Sequence, residues 1–214
     1  MSRFPDPRRA RGDIVAIGTD YHPETLIDAY RHGIFPWPND EMPLPWFCPE
    51  ERAILRFDSI HLPRSLVRAR KRTHWRFSID QAFDAVIRGC SDASRPDQDG
   101  TWIYPEVVAA YSELHRLGVA HSAEVWEDDE LIGGIYGVDS GGAFGGESMF
   151  HLRPNASKLV LLHLTDHLAA RGLEWMDIQV LTPHMESLGA ELIDRDDFLD
   201  RLRDTQNRGL NLFL

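Results

Sequence analysis

Residues 173–180 read LEWMDIQV, a run that fits a buried strand yet carries Asp177 and Gln179 among apolar residues. Side chains alternate across a strand, so Asp177 and Gln179 share one face and Met176, Ile178 and Val180 the other. An unpaired buried carboxylate is costly, so both polar groups demand partners inside the fold. A second polar intrusion sits upstream, where residues 145–150, GGESMF, put Glu147 and Met149 on one face of another apolar run. A chain that turns polar side chains inward from two strands is constrained to a rigid sheet with a reaction site built on it.

The 214 residues suffice for one large domain, or for a small one beside a medium one. Cys48 and Cys90 lie far apart with no C-x-x-C spacing, which argues against a disulfide framework or zinc finger and fits the cytoplasm. The opening MSRFPDPRRARGD has no apolar core of a secretory signal, and no apolar run is long enough to span a bilayer, so no membrane partner is expected. The net charge of −11 works against nucleic-acid binding. Charge is nonetheless clustered. Residues 64–76 hold Arg64, Arg68, Arg70, Lys71, Arg72 and Arg76 with no acid among them, and Arg3, Arg8, Arg9 and Arg11 form a second basic group. Either cluster reads equally well as solvated surface. Acidic stretches at 127–130 and 194–204 would repel RNA but attract a cationic peptide.

Along the chain, residues 23–32 read as a short helix with Leu26, Ile27 and Tyr30 on one side and Gly33 as its stop. Residues 35–49 hold five prolines and two tryptophans, too many prolines for a helix or a central strand. They are expected to pack as a rigid loop between a small N-terminal domain, 1–52, and the remainder, 53–214. In that remainder Asp80 is placed to cap a helix through Arg88, and residues 105–117 form a helix ended by Gly118. Three strand-like runs follow at 120–126, 131–138 and 143–150, with a hairpin sequence at 139–142. Asn155 is placed to cap a helix over 156–170, Gly172 stops it, and the strand 173–180 comes next. The order is that of an α/β (α+β) fold with a mixed sheet flanked by helices.

Several segments, in one order, carry a resemblance: GIFPW (33–37), GTWI (100–103), AHSAEVW (120–126), LIGGIYGV (131–138), GESMF (146–150), ASK (156–158), MDIQV (176–180) and SLGAELI (187–193). Together they resemble the leucyl/phenylalanyl-tRNA–protein transferases across most of the chain. The chain departs from that family's usual residues at Ile178, where cysteine is common, at His151 for serine and at Asp194 for proline. The resemblance implies a GNAT-like catalytic domain with no cofactor and no metal. It implies transfer of leucine, phenylalanine or methionine from aminoacyl-tRNA to proteins that begin with Arg or Lys. The product carries a destabilising N-terminus for the N-degron pathway of proteolysis. Asp177 and Gln179 are then the catalytic pair, and Glu147 is placed to hold the donor's ammonium group. Ile135, Phe144, Met149, Leu161, Leu164, Leu168 and Met176 are placed around the donor side chain, although the spacing of the three leucines is also ordinary core periodicity. Trp37 and Trp102 are placed to stack the terminal adenosine, and Arg64, Arg68, Arg70, Lys71 and Arg72 to bind tRNA.

For the transfer that the resemblance implies, Asp177 is expected to orient the Gln179 amide, whose carbonyl accepts a hydrogen bond from the attacking amine. Two other functions compete. A CoA-dependent N-acetyltransferase would need a glycine-rich turn into the helix, and residues 153–158 read RPNASK without one. A non-catalytic binder of basic N-termini would tolerate loss of Gln179. The sequence HLTDH (163–167) lacks the glutamate of a zinc-protease motif, so His163 and His167 are expected at the surface.

Overall fold

The computed structural model describes residues 2–18, 20–38, 43–93 and 101–213. Gly100 of the GTWI segment and residues 39–42 of the Pro-rich stretch lie outside the described residues. Two sheets organise the chain. Strands β1 (Ile14–Ile17), β2 (Phe35–Pro36) and β3 (Pro45–Phe47) form a small antiparallel sheet in the order β1-β3-β2. Between β1 and β2 lies helix α1 (Pro23–Arg31). Gly33 stops it at φ 75°, and a Cβ there would meet Phe198 and Leu199 at 2.8 Å, so only glycine lets the turn pack this closely.

The Pro-rich stretch corrects an expectation, because it supplies β3, the central strand of the small sheet. Its prolines sit where no donor is needed. Pro45 opens β3 and gives only its carbonyl, which accepts the Trp37 N–H at 3.0 Å, while Leu44 O accepts the Gly18 N–H at 2.8 Å. Trp46, the next residue of β3, is 2% exposed and packs against Phe4.

The larger sheet is mixed and runs β10-β4-β9-β8-β7-β6-β5. Its strands are β4 (Glu51–Arg56), β5 (Arg76–Ile79), β6 (Ala120–Glu127), β7 (Glu130–Asp139), β8 (Phe144–His151), β9 (Trp175–Gln179) and β10 (Glu191–Asp194). Among the described residues, only β8 and β9 pair in parallel. Tyr136 and Val138 of β7 join a core with α3 (Phe83–Asp92) and α4 (Pro105–Arg116). Ile135 faces the other way, into a core with α5 (Ala156–Ala169). Period-two alternation on one strand thus separates two helical layers. Helix α2 (Arg64–Arg72) packs against α5, the short α6 (Pro183–Glu186) follows β9, and α7 (Arg195–Asn207) covers β4 and β10.

Two helix caps differ from expectation. Asp80 has φ 57° and stands ahead of α3, where its carboxylate accepts the Ser122 N–H at 2.8 Å and meets His121 at 2.7 Å. The Ala82 N–H is instead taken by buried Glu124 at 3.3 Å. Asn155 does precede α5, but in a left-handed conformation with no side-chain cap bond. Hairpin residue Asp139 accepts the N–H groups of Gly141 and Gly142 at 2.9 and 2.6 Å.

Candidate active site

Two β-bulges face each other across the parallel pair. Strands β8 and β9 share one registered pair, Gly145 opposite Asp177. On β8, Ser148 pairs with Tyr136 and Gly146 with Gly137, so Glu147 is the extra residue. On β9, Gln179 pairs with Ala53 and Asp177 with Ile54, so Ile178 is the extra residue. A bulge breaks strict alternation and re-aims the side chains beside it. Gln179 has φ 58°, and the Val180 N–H donates to the Ile178 carbonyl at 2.6 Å, closing a γ-turn around Gln179. Such a conformation persists only where its surroundings hold it. Here Asp177 Oδ1 accepts the Gln179 backbone N–H at 2.9 Å.

Asp177 therefore does not orient the Gln179 amide, contrary to the reading from sequence. Its two oxygens accept Arg52 Nε at 2.8 Å and Arg52 Nη2 at 2.6 Å. Burial works against the Arg52 charge, yet Asp177 more than offsets it and holds the guanidinium pKa above its usual value. The amide is held from β8, where Glu147 Oε1 accepts from Gln179 Nε2 at 2.7 Å. Tyr111 Oη donates to Glu147 Oε2 at 3.4 Å, and Tyr30 and Tyr111 hydroxyls are bonded to each other. Burial is the main cause that lifts the Glu147 carboxyl to about 8, with the Asp177 charge adding to it and Tyr30, Arg52 and Tyr111 opposing. Both tyrosines are raised well above their ordinary value by burial and by Glu147.

Two cavities meet at this pair. One, of about 200 Å³, opens between β8 and β9 and is lined by Ile135, Gly146, Glu147, Met149, Leu161, Met176, Ile178, Gln179, His184 and Met185. The other, of about 320 Å³, is lined by Phe35, Pro36, Trp37, Trp102, Glu147, Ile178 and Gln179. Glu147 and Gln179 belong to both. Ile135, Met149, Leu161 and Met176 thus share the first cavity, and Trp37 and Trp102 the second. Phe144, Leu164 and Leu168 are not among the lining residues of the first cavity. They are 2%, 1% and 0% exposed in the α5 core, which is where helical periodicity placed the two leucines. The alternation that set Met176 against Gln179 is resolved by the bulge at Ile178. A Cβ on Gly146 would meet Met176 Cε at 2.7 Å, so that glycine makes room for the methionine.

Sequence reasoning missed Arg52, Tyr30, Tyr111, His184 and Met185. The tyrosines sit on amphipathic helices, where an aromatic reads as core. Their signal is the short polar contact between residues 81 positions apart, which only the fold supplies.

The basic residues separate. Arg64, Arg68, Lys71 and Arg72 are exposed and fall on one stripe of α2 at i, i+4, i+7 and i+8. Arg70 lies off that stripe and is paired with Asp166 of α5. The N-terminal basic group is largely neutralised within the chain, with Arg3 on Glu24, Arg8 on Asp196 and Asp200, and Arg9 near Asp6. His163 and His167 are half-buried rather than on the surface, His163 stacked on Phe77 and His167 bonded to the Leu212 carbonyl. Among the described residues, Asp80, His115 and His121 come close enough to share an ion, but both His121 nitrogens already have partners in Asp80 and the Gly118 carbonyl.

A family model described as "Leucyl/phenylalanyl-tRNA protein transferase" matches residues 54–203, and one for the N-terminal domain of that transferase matches 19–50. The chain belongs to the leucyl/phenylalanyl-tRNA–protein transferase family. A curated transferase of that name from Shewanella woodyi is 47% identical over 206 residues, covering 95% of this chain and 87% of its own. One from Anaeromyxobacter sp. is 50% identical over 200 residues, covering 93% and 86%. A solved structure described as L-PGS from Bacillus licheniformis aligns at 13% identity and a TM-score of 0.43 over 75% of this chain and 53% of that one, and adds nothing to the assignment. The family's small N-terminal part and larger mixed α/β part correspond to the two sheets. No helix among the described residues is long and apolar enough to cross a membrane.

Proposed function

We infer that this transferase moves leucine or phenylalanine from aminoacyl-tRNA to the α-amine of a protein that begins with Arg or Lys, marking it for N-degron proteolysis. The observation that carries the reading is the Gln179 amide, fixed by Glu147 where the two cavities meet. The parts 1–52 and 53–214, whose boundary falls within β4, act as halves of one site, the first supplying Trp37 and the second Gln179 and Glu147. The apolar cavity takes the donor side chain. Unbranched Met149, Met176 and Met185 line it, so methionine fits as a third donor, since one methylene is worth only about 1–3 kcal/mol. The tryptophan-walled cavity takes the 3′ adenosine. The enzyme works in the cytoplasm, where charged tRNA is available.

Chemistry needs little acid–base strength. A free α-amine titrates near pH 7.7–8.0, so on the order of a tenth is neutral at pH 7. With Nε2 bonded to Glu147, the Gln179 amide oxygen is the acceptor that aims the amine. The released proton passes to water or the tRNA ribose. Positioning of this kind supplies roughly 7–11 kcal/mol in favourable cases. Incubation with leucyl-tRNA and an Arg-starting peptide, with acetyl-CoA as parallel donor, tests the assignment. Transfer from acetyl-CoA alone would overturn it.

Glu147 gives a pH signature. To hold the donor ammonium it must lose the proton that burial keeps on it up to about pH 8. The donor amine must keep its own proton, and it titrates near 7.7–8.0. Binding of a non-reacting aminoacyl-adenosine analogue should therefore peak near pH 8 and weaken roughly tenfold per unit below it. Glu147→Gln should weaken binding and flatten the acidic limb. An unchanged limb in that variant would assign the ionisation elsewhere.

Of the two tryptophans, Trp37 also packs on Phe35 and Phe47 at 6.0 and 5.8 Å, so its removal disturbs the small sheet as well. Trp102→Ala is the cleaner probe. It should weaken aminoacyl-tRNA binding by roughly 1–3 kcal/mol, the worth of one stacked base, with Trp102→Phe retaining part. Unchanged binding with a lower melting temperature would make Trp102 a packing residue.

A further inference from the structure

Arg52 is a charged side chain of the interior, 1% exposed, and both of its short contacts go to Asp177. Its guanidinium lies 4.5 Å from the Phe35 ring on the small sheet and 4.5 Å from the Phe198 ring on α7. The two rings fix the plane of the fork, and the fork fixes the carboxylate. Asp177 Oδ1 is thereby aimed at the Gln179 N–H, 2.9 Å away, inside the γ-turn. No hydrogen bond joins Asp177 to the Gln179 side-chain amide, whose nitrogen is taken by Glu147. Asp177 is thus bracketed by a cation on one side and backbone on the other.

We propose that Arg52 is a positioning residue for the transfer reaction, acting through Asp177 to hold the backbone turn that presents Gln179. Asp177 then serves as a hydrogen-bond acceptor for that backbone, and its charge is needed only to match Arg52. The contact with Phe35 extends the bracket to the small sheet, so seating of the sheet that carries Trp37 and setting of the Gln179 turn are one event. The proposal rests on the reading that Gln179 meets the attacking amine.

Kinetics of five variants with leucyl-tRNA and an Arg-starting peptide test it. Arg52→Met should lower kcat roughly 100-fold, the scale of a misplaced catalytic group, with KM for leucyl-tRNA little changed. Asp177→Asn keeps an acceptor for the Gln179 N–H but strands the Arg52 charge, and should also be slow. The double variant Arg52→Met/Asp177→Asn strands no charge but also lacks the fork, so it should be no slower than the slower single variant, the non-additivity expected of residues that act as one unit. A double variant in which the two single losses multiply, with all three variants folded by thermal melting, overturns the proposal, because Arg52 and Asp177 then act independently. Should Arg52→Met not fold, Arg52→Lys decides. It keeps the cation without the fork, and wild-type kcat in it overturns the proposal, while a loss in kcat at constant KM supports it. Gln179→Ala is the control. If it keeps wild-type kcat, the reading of Gln179 falls and this proposal with it; if it is slow, failure of the double variant counts against Arg52 alone.

Discussion

Gln179→Ala is expected to lower kcat by about 10²–10³-fold, the range for removal of one preorganised polar group, with KM for leucyl-tRNA nearly unchanged. On the proposed reading the amide acts on the attacking amine, so its loss falls on turnover. Backbone geometry supplies a second arm. At φ 58° a residue with a Cβ carries about 1–2 kcal/mol of strain that glycine does not. Gln179→Gly should therefore match alanine in kcat while melting higher than the alanine variant. Steady-state kinetics with both substrates, beside thermal melts, separate the two effects. Wild-type kcat in both variants would remove Gln179 from the mechanism. Activity restored by glycine but not by alanine would make the γ-turn, and not the amide, the working feature.

Much of this site was legible in the sequence because its polar residues violate their surroundings. Glu147, Asp177 and Gln179 stand in apolar runs, and the structure gives each a buried partner. Which partner was not legible. Alternation assumes an unbroken pleat, and two bulges opposite each other break it. They carry Glu147 towards Gln179 and leave Asp177 to Arg52. Nothing in LEWMDIQV signals a residue at φ 58° other than glycine. The leucines of α5 show the converse. A family resemblance drew Leu164 and Leu168 into the pocket, whereas helical periodicity already marked them as core, and they are core.

The fold followed the same division. Helices with an apolar stripe and a glycine stop, such as α1 and α4, sit within a residue or two of where the pattern put them. The small sheet was missed because proline was read as excluding strands. Proline excludes only the donor. A three-residue strand that starts with Pro45 loses nothing when that position needs an acceptor. Asp80 was read as a cap from its position, but its carboxylate is committed to His121 and Ser122 across the sheet. Local propensity was outweighed there by a tertiary partner.

Simultaneous replacement of Arg64, Arg68 and Arg72 by alanine should give the second large effect, on tRNA affinity alone. These three lie on one exposed stripe of α2, whereas Arg70 is already engaged by Asp166 and is left out. A net charge of −11 and an internally paired N-terminal basic group leave few places for phosphate. Contacts to about three phosphates give a log–log salt slope near −2 to −3. Relative to 1 M salt, such a slope is worth roughly 100- to 1,000-fold in affinity at 0.1 M, and the triple variant should lose most of it. Its KM for leucyl-tRNA should rise accordingly and become nearly independent of salt, with kcat retained. A minimal aminoacyl-adenosine donor reaches the cavities without touching α2, so its KM should not move. The same salt slope in the triple variant as in wild type would place the tRNA on another surface and leave the α2 stripe as solvated charge. Loss of activity towards the minimal donor as well would mean that α2 supports the α5 core, against which it packs.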